Sequence, residues 1–167
     1  MRHIFFLLLL LVACPVAATG QIADELLIGG KRELLHTLPL TTELEDKYRE
    51  QILLKYSRGG RCTASWRGYR ATWELQRNQL LLRNILANPC DNPPVEIPLG
   101  EIFPDRATPI VATWFTGKLI VPQGNVKKRV HIGFESQFER YLIVNVRAGK
   151  VLSRKLTNKK PVNEAVN

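Results

Sequence analysis

From Thr63 onward the apolar residues of this chain recur at every second position, and that period limits what it can become. Tyr69, Ala71, Trp73 and Leu75 alternate with Arg70, Thr72 and Glu74, the pattern of a strand with one face buried and the other wet. Arg77-Asn78 supplies a turn into a return strand over 79–86. Strand character resumes at 110–121, with a bend expected at Gly117, and again at 126–134 and 139–146. Ala148-Gly149 then turns the chain into 150–156. The intervening 88–109 is rich in proline, which suits a loop with at most a short strand near 95–97. About seven short strands joined by tight turns predict a mainly β fold, an antiparallel meander forming a small barrel or sandwich.

Before this region the pattern differs. Gly29-Gly30 separates two short apolar runs within 25–35, which suits a hairpin turn that needs positive φ. Thr42-Glu43-Leu44-Glu45 has the spacing of a capping box, and Leu44, Tyr48, Ile52 and Tyr56 follow at intervals of four. Acids gather at the front of this segment and bases at its back, and Gly59-Gly60 closes it, so one helix is predicted over 42–57.

The N-terminus reads as an export leader. Arg2 precedes an apolar run from Ile4 to Ala13. At about ten residues that run falls short of the roughly twenty a membrane span needs. Pro15 and the small residues Val16 to Gly20 suit cleavage near Ala18 or Gly20, while Leu11-Val12-Ala13-Cys14 has the form of a lipobox that would acylate Cys14. An uncleaved anchor is the third alternative. The expected organisation is a signal peptide over 1–20 and a single β-rich domain over 21–167 with a frayed C-terminal tail, exported to the periplasm or beyond or tethered through Cys14.

Outside the leader two cysteines remain, Cys62 and Cys90. In an oxidising compartment an even pair flanking a predicted hairpin is most simply a disulfide. The formal charge is +9, which favours anionic partners. In the cell envelope those are headgroups, acidic polymers or an acidic protein rather than nucleic acid. The same lysines and arginines also serve simply as solubilising charge.

Chemistry-bearing residues are few. Trp66, Arg67, Arg70 and Glu74 mix an indole with opposite charges, a surface suited to a sugar or peptide by stacking and bidentate hydrogen bonding. The competing structural reading pairs Arg70 with Glu74 and packs Trp66 under the helix. Trp114-Phe115-Thr116-Gly117 is a second aromatic site or part of the core. His131, with Glu135 four residues on, is the candidate base for a hydrolase. The chain lacks G-x-S-x-G and H-E-x-x-H, and a hydrogen-bonded structural histidine fits as well. No metal set or cofactor is expected. Lys127-Lys128-Arg129 suits either an anionic headgroup or the blunting of an edge strand.

The elements Trp66-Arg67-Gly68-Tyr69, Ala71-Thr72-Trp73-Glu74-Leu75, Trp114-Phe115-Thr116-Gly117 and Val130-His131-Ile132-Gly133, in this order, resemble a bacterial family of small, mostly exported proteins without an assigned activity. The chain departs from that pattern at Gly133-Phe134-Glu135-Ser136, where Gly-Tyr-Gly-Ser is usual and a tight turn would be expected. The resemblance implies a defined fold and no catalytic residue. The function expected is thus a non-catalytic envelope protein that binds a protein or glycan, in one version an immunity or inhibitor protein. Hydrolysis through His131 and a carboxylate, and lipid or lipopolysaccharide binding inside a barrel, are the alternatives.

Overall fold

The computed structural model describes residues 20–41, 43–44, 46–59 and 62–161, without the side chains of 46–49. The expected leader through residue 19, Cys14, the expected capping-box residues Thr42 and Glu45, and the tail from 162 lie outside the described residues. Among the described residues nine strands form one mixed sheet, accompanied by two short helices. The strands are β1 (Asp24–Ile28), β2 (Lys31–Leu35), β3 (Tyr69–Gln76), β4 (Gln79–Ala87), β5 (Val95–Ile97), β6 (Ile110–Val111), β7 (Gly117–Lys128), β8 (Gln137–Arg147) and β9 (Lys150–Thr157). The helices are α1 (Asp46–Tyr56) and α2 (Leu99–Ile102).

Three hairpins are built on two-residue turns with both central residues at positive φ: Gly29-Gly30, Arg77-Asn78 and Ala148-Gly149. This mirror-image turn matches the right-handed twist of the strands it joins. Gly149 is the position with least latitude. A Cβ there would lie 2.8 Å from the carbonyl oxygen of Ala112, because the β8–β9 turn presses on the segment leaving β6.

The expected antiparallel meander is modified in two ways. First, β1 pairs antiparallel with β2 but parallel with β3, in the register Glu25↔Thr72 through Ile28↔Leu75. A parallel neighbour needs a long crossover, and β2 with α1 supplies it. Second, the sheet does not close into a barrel. Its order is β2-β1-β3-β4-β9-β8-β7, and its ends meet through side-chain and isolated bonds: His36 N–H donates to Ile120 O at 2.8 Å, and Thr37 Oγ1 to Lys118 O at 3.0 Å. At the other seam β4 and β9 share a single register pair, Gln79↔Lys150.

Other boundaries shift for local reasons. Residues 110–121 are two strands, because β6 pairs with β4 and the chain then turns before β7 begins at Gly117. β7 continues through Lys128 with irregular register after Gln123. Gly124, at φ 77°, leaves room for the Glu139 carboxylate to accept from Asn125 N and Nδ2, each at 3.1 Å. The strand expected over 126–134 therefore ends early, and 129–136 is a loop. Its turn survives the lost second glycine: Gly133 takes φ 49°, and Glu135 N–H donates to Ile132 O at 3.0 Å.

The main core lies between α1 and one face of the sheet, with Leu26, Leu35, Ile52, Leu53, Trp73, Ile85, Phe115 and Val144 among its buried members. A smaller cluster of Ile120, Tyr141 and Ile143 covers the opposite face of β7–β8. His36 joins that side, stacked on Phe134 with ring centroids 4.9 Å apart and meeting Phe138 edge-on. Burial, with the nearby Lys160 charge, lowers its pKa to about 4. Glu101 accepts from Lys55 Nζ at 2.8 Å and from Tyr56 Oη, which ties α2 to the end of α1.

Candidate functional site

The W-R-G-Y-x-A-T-W segment divides into a buried part and one exposed ring. Asp24, at the start of β1, is fully buried. One carboxylate oxygen accepts from Arg67 Nη2 at 2.8 Å and from Ala71 N at 3.1 Å, and the other accepts from Trp73 Nε1 at 2.9 Å. Arg67 Nη2 also donates to Ile22 O at 2.8 Å, and the guanidinium lies over the Tyr69 ring. Burial raises the Asp24 pKa above the usual carboxylate range. The Arg67 charge and the hydrogen bonds from Trp73 and Ala71 oppose that rise.

A carboxylate out of water is tolerable only when its oxygens are occupied and its charge is paired. Arg67, Ala71 and Trp73 meet both demands. Four positions of the segment, counting the Tyr69 ring, are thus accounted for by attachment to the first strand. Asp24 itself escapes a reading of the sequence: 43 positions separate it from Arg67, and no local pattern announces a parallel neighbour.

The mixed face expected from Trp66, Arg67, Arg70 and Glu74 is not assembled. β3 begins at Tyr69, so strand alternation does not reach Trp66. Arg67 is buried under Asp24. Arg70 Nη1 lies 3.5 Å from Glu25 on the neighbouring strand, and Glu74 pairs with Arg83 across the hairpin, so the two do not pair with each other. Trp114 sits elsewhere, on the turn between β6 and β7. It is stacked on Phe103 at 5.2 Å, covered by Arg106, and its Nε1 donates to Pro39 O at 2.9 Å. It is a packing residue.

His131 lies exposed in the 129–136 loop rather than in a strand. The carboxylate expected beside it, Glu135, pairs instead with Lys160 Nζ at 2.7 Å. No hydrogen bond or ion pair to His131 occurs among the described residues.

Trp66 and His131 are nevertheless brought to the same end of the molecule, by Gln21. Gln21 N–H donates to Gly133 O at 3.2 Å, and its Nε2 donates to Thr63 O at 3.0 Å. Its Oε1 accepts from Trp66 N at 3.2 Å, and Ile22 N–H donates to Ala64 O at 2.8 Å. Residues 62–66 and 131–133 therefore flank 20–22 as adjacent loops.

The first loop is held firmly. Cys62–Cys90 closes a span of 28 residues. Ser65 N–H and Gly68 N–H donate to Cys62 O and Ser65 O, both at 2.9 Å, and Gly68, at φ 75°, abuts Leu53 of α1. On this pinned loop the Trp66 side chain is 71% exposed, and Ile132 on the neighbouring loop is 61% exposed. Ile132 belongs to the candidate site although its sequence context, an apolar residue in a run read as a strand, gave no sign of exposure.

The cavity beneath α1, lined by Leu44, Ile52, Leu53, Tyr69 and Ile85, measures about 10 Å³, the room of one water. A bound lipid would require roughly 300 Å³ or more. An open cleft of about 200 Å³ lies beside Glu43, Phe103, Asp105 and Arg106, away from His131. Among the described residues no three His, Cys, Asp or Glu side chains converge as a metal set would. The disulfide is consistent with an exported protein, and among the described residues no helix is long and apolar enough to cross a membrane. No protein-family model matches the chain, and no curated protein or solved structure does either.

Proposed function

We propose that this chain is a non-catalytic, exported binding protein that engages a protein or glycan partner through the loop end carrying Trp66, Ile132 and His131. The observation that carries the reading is the exposed Trp66 indole on a loop fixed by a disulfide and by Gln21. A large, apolar, pre-positioned ring gives binding energy at little entropic cost, and recognition surfaces are enriched in such residues. Singly exposed apolar residues are ordinary, but here a second one, Ile132, is exposed on the neighbouring loop that Gln21 ties to the same end. Exposed Lys127, Lys128 and Arg129 lead into the same loop, so an anionic partner is favoured, and an immunity or inhibitor role against an acidic target fits this charge.

Export follows in this reading from the leader over 1–20. It ends in cleavage near Ala18 or Gly20, in acylation of Cys14, or as an uncleaved anchor, and the intact mass of the exported protein separates the three.

The test is capture from the producer's own envelope with tagged wild type and with a Trp66→Ala, Ile132→Ser variant. Both side chains are exposed, so the variant keeps its fold, as its unfolding midpoint will show. Loss of a partner that wild type retains supports the reading. Retention at full strength by the folded variant refutes the site.

A further inference from the structure

We propose that the outer edge of β9, from Leu152 to Thr157, is a strand-addition site for an acidic, extended polypeptide segment. β9 pairs with β8 along its whole length, from Arg147↔Lys150 to Tyr141↔Thr157. On its other side it meets β4 only at Gln79↔Lys150. Past that point the edge of β4 is occupied by β6, at Leu81↔Val111 and Leu82↔Ile110, and then by β5, at Ile85↔Ile97. The chain leaving β6 wedges the two strands apart, and the close approach of Gly149 to Ala112 and Thr113 marks the point of divergence. Among the described residues no strand pairs with β9 on that side beyond Val151, so its outward backbone N–H and C=O groups are available to a partner.

The side chains say which partner. Leu152 and Leu156 are 58% and 53% exposed, and the exposed Arg154 and Lys155 lie between them. From Lys150 to Pro161 there are five basic residues and no acidic one. A second copy adding here antiparallel would set like charges against each other, which is destabilising. An anionic membrane would satisfy the charges but could not pair the backbone groups of the edge. An acidic strand with alternate apolar residues satisfies both, through ladder hydrogen bonds and opposite cross-strand charges. This site is independent of the Trp66 end.

The test uses the full mature chain with its disulfide intact, isotope-labelled for amide NMR. The probe is a capped ten-residue peptide of alternating Val and Glu. The expected result is a set of shift changes, with slowed amide exchange, centred on 152–157. Affinity should fall roughly fivefold or more in an Arg154→Glu, Lys155→Glu variant and with rising salt, and binding should be lost when alternate amides of the peptide are N-methylated.

Four outcomes overturn the proposal: no response of 152–157 to the peptide, equal binding of the N-methylated peptide, phosphatidylglycerol vesicles perturbing these amides while the peptide does not, and self-association of the free protein through β9. Both substituted side chains are exposed, and an unchanged amide spectrum away from β9 verifies the fold of the variant.

Discussion

Replacing Asp24 by alanine should be among the most damaging single changes the domain can suffer. The carboxylate is fully buried, and the Arg67 side chain that pairs with it at 2.8 Å is 7% exposed. Removing one member of a buried pair strands the other charge, at about 3–5 kcal/mol. The Ala71 and Trp73 N–H groups also lose their acceptor, at about 1–3 kcal/mol each where no water replaces it. These costs overlap, and about 5 kcal/mol is a fair central value, against a total of about 5–15 kcal/mol for domains generally.

Arg67→Met should be milder and should depend on pH. The remaining Asp24 keeps the Ala71 and Trp73 donors, and without the guanidinium its pKa, already raised by burial, rises further. A carboxyl whose folded pKa exceeds its unfolded value holds a proton in the folded state that the unfolded state releases. Stability therefore falls as pH rises from the unfolded value to the folded one, by at most about 1.4 kcal/mol per unit. Because that window reaches higher in the variant, the deficit of Arg67→Met relative to wild type should grow with rising pH. Urea unfolding with the disulfide intact, followed by tryptophan fluorescence from pH 4 to pH 8 on the order of one unit apart, measures both effects. An Asp24→Ala cost below about 2 kcal/mol, or a pH-independent Arg67→Met deficit, would refute the reasoning.

Other consequences follow from the same geometry. His36 has a pKa near 4 when folded against 6.5 when free, so the unfolded state takes the proton first and stability falls as pH drops through that window. The loss approaches roughly 3 kcal/mol at the acid end, and His36→Phe should flatten this part of the calorimetric pH profile while keeping the ring stack. Opening Cys62–Cys90, with serine at both positions, should lower unfolding free energy by roughly 3–4 kcal/mol on the loop-closure model for 28 residues, read as a lower urea midpoint. Gly149→Ala places a methyl group 2.8 Å from Ala112 O at φ 75°. It should cost about 1–3 kcal/mol, whereas the same change at Gly29, with open space around it, should cost only the milder penalty of positive φ.

Much of the strand pattern is legible in the sequence because it is local. The turns at Gly29-Gly30, Arg77-Asn78 and Ala148-Gly149 stand where the dipeptides place them, and the parity of Cys62 and Cys90 anticipates their bond. What is not legible depends on partners distant in the chain. Periodicity cannot distinguish a parallel from an antiparallel neighbour, so the β1–β3 pairing and the Asp24 anchor it creates stay hidden. Alternation does not show where a strand starts or stops, so Trp66 and His131, both loop residues, read from the sequence as lying on strand faces. Arg67 looks like a surface ligand in a polar motif until the buried carboxylate opposite it is seen. Arg70 and Glu74 find partners on different strands, a choice fixed by register rather than by spacing.

One motif divides into a buried anchor and an exposed ring, and site-specific photocrosslinking in producing cells tests that division most directly. A crosslinking amino acid at position 66 should capture a discrete partner, and the same group at the comparably exposed Lys31, at the other end of β1 from Asp24, should not. A folded, exported protein that yields no adduct from position 66, or the same adducts from both positions, would contradict the proposed site.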